Sequence, residues 1–542
     1  MVDETRNWPS ALRGEICQAL LDAVEQQIKT PPCTELAFQV LSVLVEDSAI
    51  LPEKLNGFFW HWREYEDGHQ HPEIAKRLRD FERHYTRHNL ASRFQHYVID
   101  VDPMEWDEDF CERHNKPKNR AKLLVRVLAH RIARRPEKLN QIQYLLSPKA
   151  NAPALWYFGE QIALKDSARV LLPTLTGLTL ETKHQVCLHG YLSAVRANDP
   201  KFYLSTVKGF LDAENTAWLG ATIALGSDYE DGLFLQCLDA LERRWIDPLR
   251  FVVLQFGKAI ESVPPERIGR LLRLLNKDED QESLFLLVDL LNSIPFDNSA
   301  PFNSEFVFEV VSRAVPTEEH QEIMHGYHWK NVCLKLIGWD ASFVLPLLDM
   351  LLTNMGKTYR LSYDRNVEPL ANELVRIDPI GAWGVVKTHL EKTLPKWRGD
   401  LLHWLNGGLS TFDGKDFKGA VGNLPVPEIL EWIEQDSKSR ANLIAHAASA
   451  TLDDAQGGRL TRELLHRYGQ FDGVRSGISA TFHSGVWTGP TSAYLKRKRE
   501  RLRRWLAAGF KIEITQWIET EIDDLDHKIE RAEIDEERLQ FD

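Results

Sequence analysis

Residues 264–295 read PPERIGRLLRLLNKDEDQESLFLLVDLLNSIP. Ile268, Leu271, Leu272 and Leu275 recur at the spacing of one helix face, and Leu284, Leu287, Val288 and Leu291 repeat that spacing after a polar turn. Two amphipathic stretches around a short polar break predict a helical hairpin. The same rhythm returns in FVLPLLDMLLTNM, in PEILEWIEQDSKSRANLIAHAASA and in RLTRELLHRYG, and alternating strand patterns are almost wanting. Asp199-Pro200, Asp247-Pro248 and Asp378-Pro379 supply an N-cap followed by a residue suited to the first helical position, so each predicts a helix start. A faint echo, Phe158-Gly159 with Ile162 and Phe256-Gly257 with Ile260, is the kind of degenerate repeat that stacked helix pairs leave. The expected fold is all-α: an α-solenoid of irregular HEAT-like or TPR-like hairpins with a C-terminal helical cap.

The 542 residues are enough for several domains or one elongated array. Two softer stretches divide them. Residues 102–120 are charged and contain Pro and Asn, and residues 406–427 are rich in Gly. The expected sections are an N-terminal helical section (1–120), a central helical-repeat array (121–405) and a C-terminal section (406–542).

No apolar run approaches the length of a membrane span, and MVDETRNWPS is not a secretory signal. A cytoplasmic protein without membrane contact is expected. The six cysteines are scattered without a CxxC, as free buried thiols are. A net charge of −13 disfavours a dedicated duplex-binding protein.

Catalytic motifs fail on inspection. LLTNMGKT at 351–358 puts Leu351 where a phosphate-binding loop needs its first Gly. HExxH, GxSxG and GxGxxG in context are missing. His184, Cys187 and His189, like His325, His328 and Cys333, are ligand types without a four-ligand spacing. Asp413, Asp416 and Lys418 caricature a nuclease site, but on a Gly-rich loop rather than on strands. No catalytic, metal-binding or cofactor-binding residue is assigned, and no enzyme is expected. An undetected site near residues 325–333 is the remaining enzymatic reading.

The C-terminus carries the strongest charge pattern. Lys496, Arg497, Lys498, Arg499, Arg501, Arg503 and Arg504 precede a last helix rich in Glu and Asp. A turn at Ala508-Gly509 would fold the two antiparallel, with Leu502, Trp505 and Leu506 facing Ile514, Trp517, Ile518 and Leu525. A charge-complementary cap is favoured over a strip for phosphate or an acidic partner. Just before it, Ser484, Gly485, Trp487, Gly489 and Pro490 form an elbow, with Ser492 as the expected N-cap. The elbow is expected to be structural, covering the last apolar face of the array.

The stretch SGVWTGPTSAYLKRKRERLRRWL with ITQWIETEIDDLDHKIERAEIDEE resembles the extreme C-terminus of large bacterial STAND-class NTPases, the NACHT-like and related sensors associated with antiphage defence. LWYFGEQIALKD, HGYLSAVRANDP, HWKNVCLKLIGWDASFVLPLL, VEPLANELVRIDPIGAW and DSKSRANLIAHAA are similar to the same proteins, so the resemblance spans residues 50–540. It implies a recognition region that follows an effector and a nucleotide-binding module. Neither module stands in these residues, which implies either a portion of a larger protein or a stand-alone relative working with a separate partner. It carries no ligand contact to a numbered residue.

The function expected is therefore a non-catalytic recognition or scaffold module, the sensor region of a STAND-type defence protein, binding a phage-derived protein ligand. Trp60, Trp62 and Trp329 are its candidate contact residues on the concave face. The alternative is a nucleic-acid-binding repeat protein using the basic strip, which is not favoured.

Overall fold

The computed structural model describes residues 10–44, 54–55, 58–59, 61–62, 71–88, 90–99, 120–146, 152–256, 259–278, 280–297, 299–316, 323–355, 366–407, 419–453, 457–484 and 489–541. Among them there is no strand. The chain forms two compact units, Met1–Arg250 and Phe251–Asp542, a division that falls inside the section read from sequence as one central array. In each, helices adjacent in sequence pack on each other, which is the all-α helical-repeat arrangement expected.

The first unit opens with α1 (Ser10–Gln27) and α2 (Thr34–Leu44), whose apolar faces meet in a local core of Leu21, Val24, Ile28, Phe38, Leu41 and Trp62. Further along, α3 (Ala152–Ala163) and α4 (Val186–Asn198) approach backbone to backbone. A Cβ on Gly159 would stand 1.9 Å from the Cys187 carbonyl oxygen, and one on Gly190 1.8 Å from that of Trp156. Only glycine permits this crossing. α5 (Pro200–Leu211) begins at Asp199, whose carboxylate accepts from the Phe202 amide at 3.2 Å.

The second unit contains the hairpin foreseen in residues 264–295. α6 (Pro265–Lys277) buries Ile268, Leu271, Leu272 and Leu275, and α7 (Gln281–Ser293), capped by Asp280, buries Leu284, Leu287, Val288 and Leu291. α8 (Ser304–Arg313) and the long α9 (Ile323–Trp339) pack beside them. α10 (Val344–Asn354) and α11 (Val367–Ile377) follow, and Asp378 then caps α12 (Pro379–Lys392) through the Gly381 amide at 3.0 Å. The remaining Asp-Pro pair, at Asp247, starts a 3₁₀ helix, Pro248–Gln255, instead of an α-helix. That difference undoes the sequence echo: Phe158 lies buried within α3, while Phe256 follows the 3₁₀ helix and is 68% exposed.

α13 (Val426–Glu434), α14 (Ser437–Ala445), α15 (Arg459–Tyr468) and α16 (Asp472–His483) lead to the C-terminal hairpin of α17 (Thr491–Ala508) and α18 (Ile512–Phe541). Gly509, with φ +74°, makes the turn between the two. Leu502 and Trp505 are buried, as are Ile514, Trp517, Ile518 and Leu525, so the expected apolar seam is present, with Leu506 half-buried at its edge.

At the elbow, Ser484 ends α16 by donating its amide to Ala480 O and its hydroxyl to Thr481 O. Gly489 is left-handed (φ +96°) and Pro490 stands at the N-cap position of α17. Gly485 and Trp487 lie outside the described residues. Ser492 is not the N-cap. The helix has already begun at Thr491, and Ser492 donates its amide (2.9 Å) and hydroxyl (2.6 Å) to Glu536 of α18. An otherwise unsatisfied first-turn donor is thus met from the neighbouring helix.

Candidate functional site

The aromatic contact residues expected from sequence need correcting. Trp62 and Trp329 are each 1% exposed, and Trp60 lies outside the described residues. Trp62 belongs to the core between α1 and α2. Trp329 points into the second unit, where its indole N–H donates to Val311 O at 2.9 Å. Neither can meet a partner.

The same helix offers another aromatic. On α9, Trp329, Val332, Cys333 and Leu336 form the buried face. Two residues along a helix turn the side chain by about 200°, so Tyr327 stands on the opposite side, 48% exposed, with Leu334 one face-repeat further on at 36%. Asn331 and Gly338 continue this outward face, and a Cβ on Gly338 would meet nothing within 4 Å. Lys330 places its ammonium 5.3 Å from the centre of the Tyr327 ring. The result is an aromatic, an amide and an aliphatic group in a row on a rigid helix.

Beneath this face lies a polar clamp. Asp289 of α7, nearly buried, takes Gln255 Nε2 at 3.1 Å on one oxygen, while His328 Nδ1 lies 2.7 Å and His325 Nδ1 3.7 Å from the other. His325 also stacks on Phe285 with ring centres 4.7 Å apart. Lys335 donates to the carbonyls of Asn292 (2.5 Å) and Ile294 (3.1 Å) at the end of α7, and burial lowers its pKa. These contacts fix the rotation of α9 about its axis and so decide which residues face outward.

The hollow beside His325, lined by Phe285, Val288, Ala314, Pro316 and Trp329, holds about 260 Å³ including space open to solvent. Most of that is open to solvent: the enclosed part is about 10 Å³, room for about one water molecule and far short of a small-molecule site. Cys333 is fully buried, and desolvation raises its pKa well above the ordinary thiol range, so it does not supply a thiolate nucleophile at neutral pH. Burial likewise pushes Cys187 up to about 12, which removes it as a ready metal ligand beside His184 and His189. Asp413, Asp416 and Lys418 lie outside the described residues, while Leu351 is a buried side chain of α10.

The basic strip is largely committed within the cap. Lys496 pairs with Glu533 at 2.6 Å, and Arg499 pairs with Asp526. Arg503 pairs with Glu500 of its own helix at 2.9 Å. Lys498 turns inward, donating to the Phe482 carbonyl at 2.5 Å and lying over the Phe482 and Tyr494 rings. Arg497 and Arg504 remain exposed, seven residues apart on one face, with the partly buried Arg501 between them.

The separation between the two faces of α9 is hard to read in sequence because its apolar and aromatic residues run almost all round the helix. The signal was nevertheless present: Trp329, Val332, Cys333 and Leu336 share one register and Tyr327 and Leu334 the other.

No helix among the described residues is long and apolar enough to cross a membrane. No family model matches this chain. No curated protein matches it either. Among solved structures, the crystal structure of SYS-1 is similar over 96% of this chain and 82% of that chain, at 12% identity and a TM-score of 0.15, which is too low to carry an argument about fold or function.

Proposed function

We propose that this chain is a non-catalytic recognition and scaffold module whose helical array binds a protein ligand, with the outward face of α9 as the contact strip. The observation that carries this reading is the exposure of Tyr327 and Leu334 on a helix whose opposite face is locked into the core. Tyrosine combines a large contact area with a hydroxyl and little rotamer entropy, which suits an interface anchor. Stacked helices hold such an anchor at a fixed angle.

The resemblance of the C-terminal stretches to STAND-class NTPases supports a more specific assignment: the sensor region of a bacterial antiphage system, located in the cytoplasm. In this reading the ligand is phage-derived, and the NTPase and effector modules belong to the same or a separate chain.

The test is site-specific photocrosslinking. A photoreactive phenylalanine analogue replaces Tyr327 in cells that are then infected, with the exposed Lys387 position as control. The expected result is a phage-encoded protein joined at 327 and not at 387. No infection-dependent adduct at 327 overturns the assignment.

A further inference from the structure

Where the last helix before the elbow meets the cap, three ligand-bearing side chains converge. His483, the final residue of α16, places Nε2 2.6 Å from Oε2 of Glu521 and 3.7 Å from Oδ2 of Asp524. Glu521 and Asp524 are three residues apart on one side of α18. The three ligand atoms all lie within 4.8 Å of one another. We propose that His483, Glu521 and Asp524 form a binding site for a divalent transition metal of the zinc type, clipping the end of the array to the last helix of the cap.

The donor set suits that ion. One imidazole and two carboxylates are ordinary zinc ligands, and three protein donors leave a fourth position for water. With metal–ligand distances of about 2.0–2.2 Å, tetrahedral donors stand about 3.4 Å apart. The observed 2.6 and 3.7 Å from the imidazole bracket that separation, and the two carboxylate oxygens lie within 4.8 Å of each other, so side-chain rotation can close the set. Asp524 is half exposed and gives the ion a way in, while Glu521 is buried and gives it a fixed wall.

The glutamate is also oriented from behind. Its Oε1 accepts from the Ser479 hydroxyl, and the Ser479 oxygen accepts the Trp517 indole N–H at 3.0 Å. This chain turns Oε2 toward the imidazole, the kind of outer support that metal-binding carboxylates receive.

Two lysines bear on the charge balance. The Lys528 ammonium lies 2.5 Å from Asp524 Oδ2. This is a partly exposed pair within one helix, and a divalent ion displaces it at little cost. Lys498 is engaged by the Phe482 carbonyl, leaving the Glu521 oxygens to Ser479 and His483. The two carboxylates then balance the ion's charge. Coordination requires the Nε2 lone pair, so a neutral imidazole carries its proton on Nδ1, and a protonated one releases a proton to solvent.

The experiment uses the full chain after chelator treatment, titrated with zinc chloride by calorimetry and with cobalt(II) as a spectroscopic probe. The expected result is one equivalent of zinc bound and the visible absorption of four-coordinate cobalt. Asp524→Asn and His483→Gln should each weaken binding at least tenfold. Asp524→Asn alters a half-exposed side chain, so it decides the matter if His483→Gln unfolds. No saturable zinc binding by the native chain, or equal binding by Asp524→Asn, overturns the proposal; the latter would place the ion elsewhere.

Discussion

Glu536, near the end of α18, holds both the amide and the hydroxyl of Ser492 in the first turn of α17. A carboxylate here meets donors that the helix itself leaves unpaired, and it sits at the positive end of the α17 dipole. Those bonds lower the Glu536 pKa below its ordinary value. The stabilisation is therefore full above the unfolded-state pKa of about 4.3 and is lost as pH falls through the lower folded value. Glu536→Ala should speed amide exchange at the start of α17, and should flatten the acid limb of the cap's stability curve. Hydrogen exchange across pH 3–6, roughly the window in which carboxylates titrate, measures both.

Lys498 has the opposite pH signature. Burial depresses its pKa to about 8, with Arg501 and Lys528 adding repulsion and Glu521 partly opposing them. An unfolded lysine titrates near 10.4, so between about pH 8 and 10.4 the unfolded chain binds more protons and stability rises with pH. The charged lysine costs on the order of 2–3 kcal/mol below pH 8, from a shift of roughly two pKa units. Lys498→Met should remove that rise, which denaturant titrations at pH 7 and 9.5 would detect.

The crossing of α3 and α4 leaves no room for a methyl group at either glycine. Gly190→Ala has to push carbonyl backbone apart, a strain of roughly 1–3 kcal/mol or more by the scale of overpacked cores. A melting temperature lowered by several degrees is expected. An unchanged one would mean that the helices separate freely.

Tyr327 and Trp329 should part company under alanine substitution. Trp329→Ala empties a buried site and removes a donor from Val311 O, a loss of about 3–5 kcal/mol. Tyr327→Ala should change stability by less than about 0.5 kcal/mol, as surface substitutions usually do. Chemical denaturation of the two variants distinguishes them, and Tyr327→Ala is the variant in which a loss of ligand capture reports on contact rather than on stability.

Periodicity made the helices legible. Leu271, Leu275, Leu287 and Leu291 each occupy the face their spacing assigns, and Asp199 and Asp378 cap the helices their Asp-Pro pairs announce. Rotation about a helix axis was harder to read. An outward Trp329 is what an aromatic's fitness for interfaces suggests, yet Asp289, on another helix and 39 residues before His328, sets the rotation through His325 and His328. Ser492 departs from the N-cap role for a related reason, since its partner is 44 residues distant on α18. His483 and Glu521 are similarly remote, 38 residues apart, and no local spacing brings them together.

The cross-hairpin pairs Lys496–Glu533 and Arg499–Asp526 have an evolutionary corollary. A sequence change that reverses one member sets two like charges side by side along the seam, and the natural remedy is a second change opposite it. Among relatives of this chain, positions 496 and 533 should therefore vary together, as should 499 and 526. Such paired changes would reveal how the last two helices are aligned to anyone holding only the sequences.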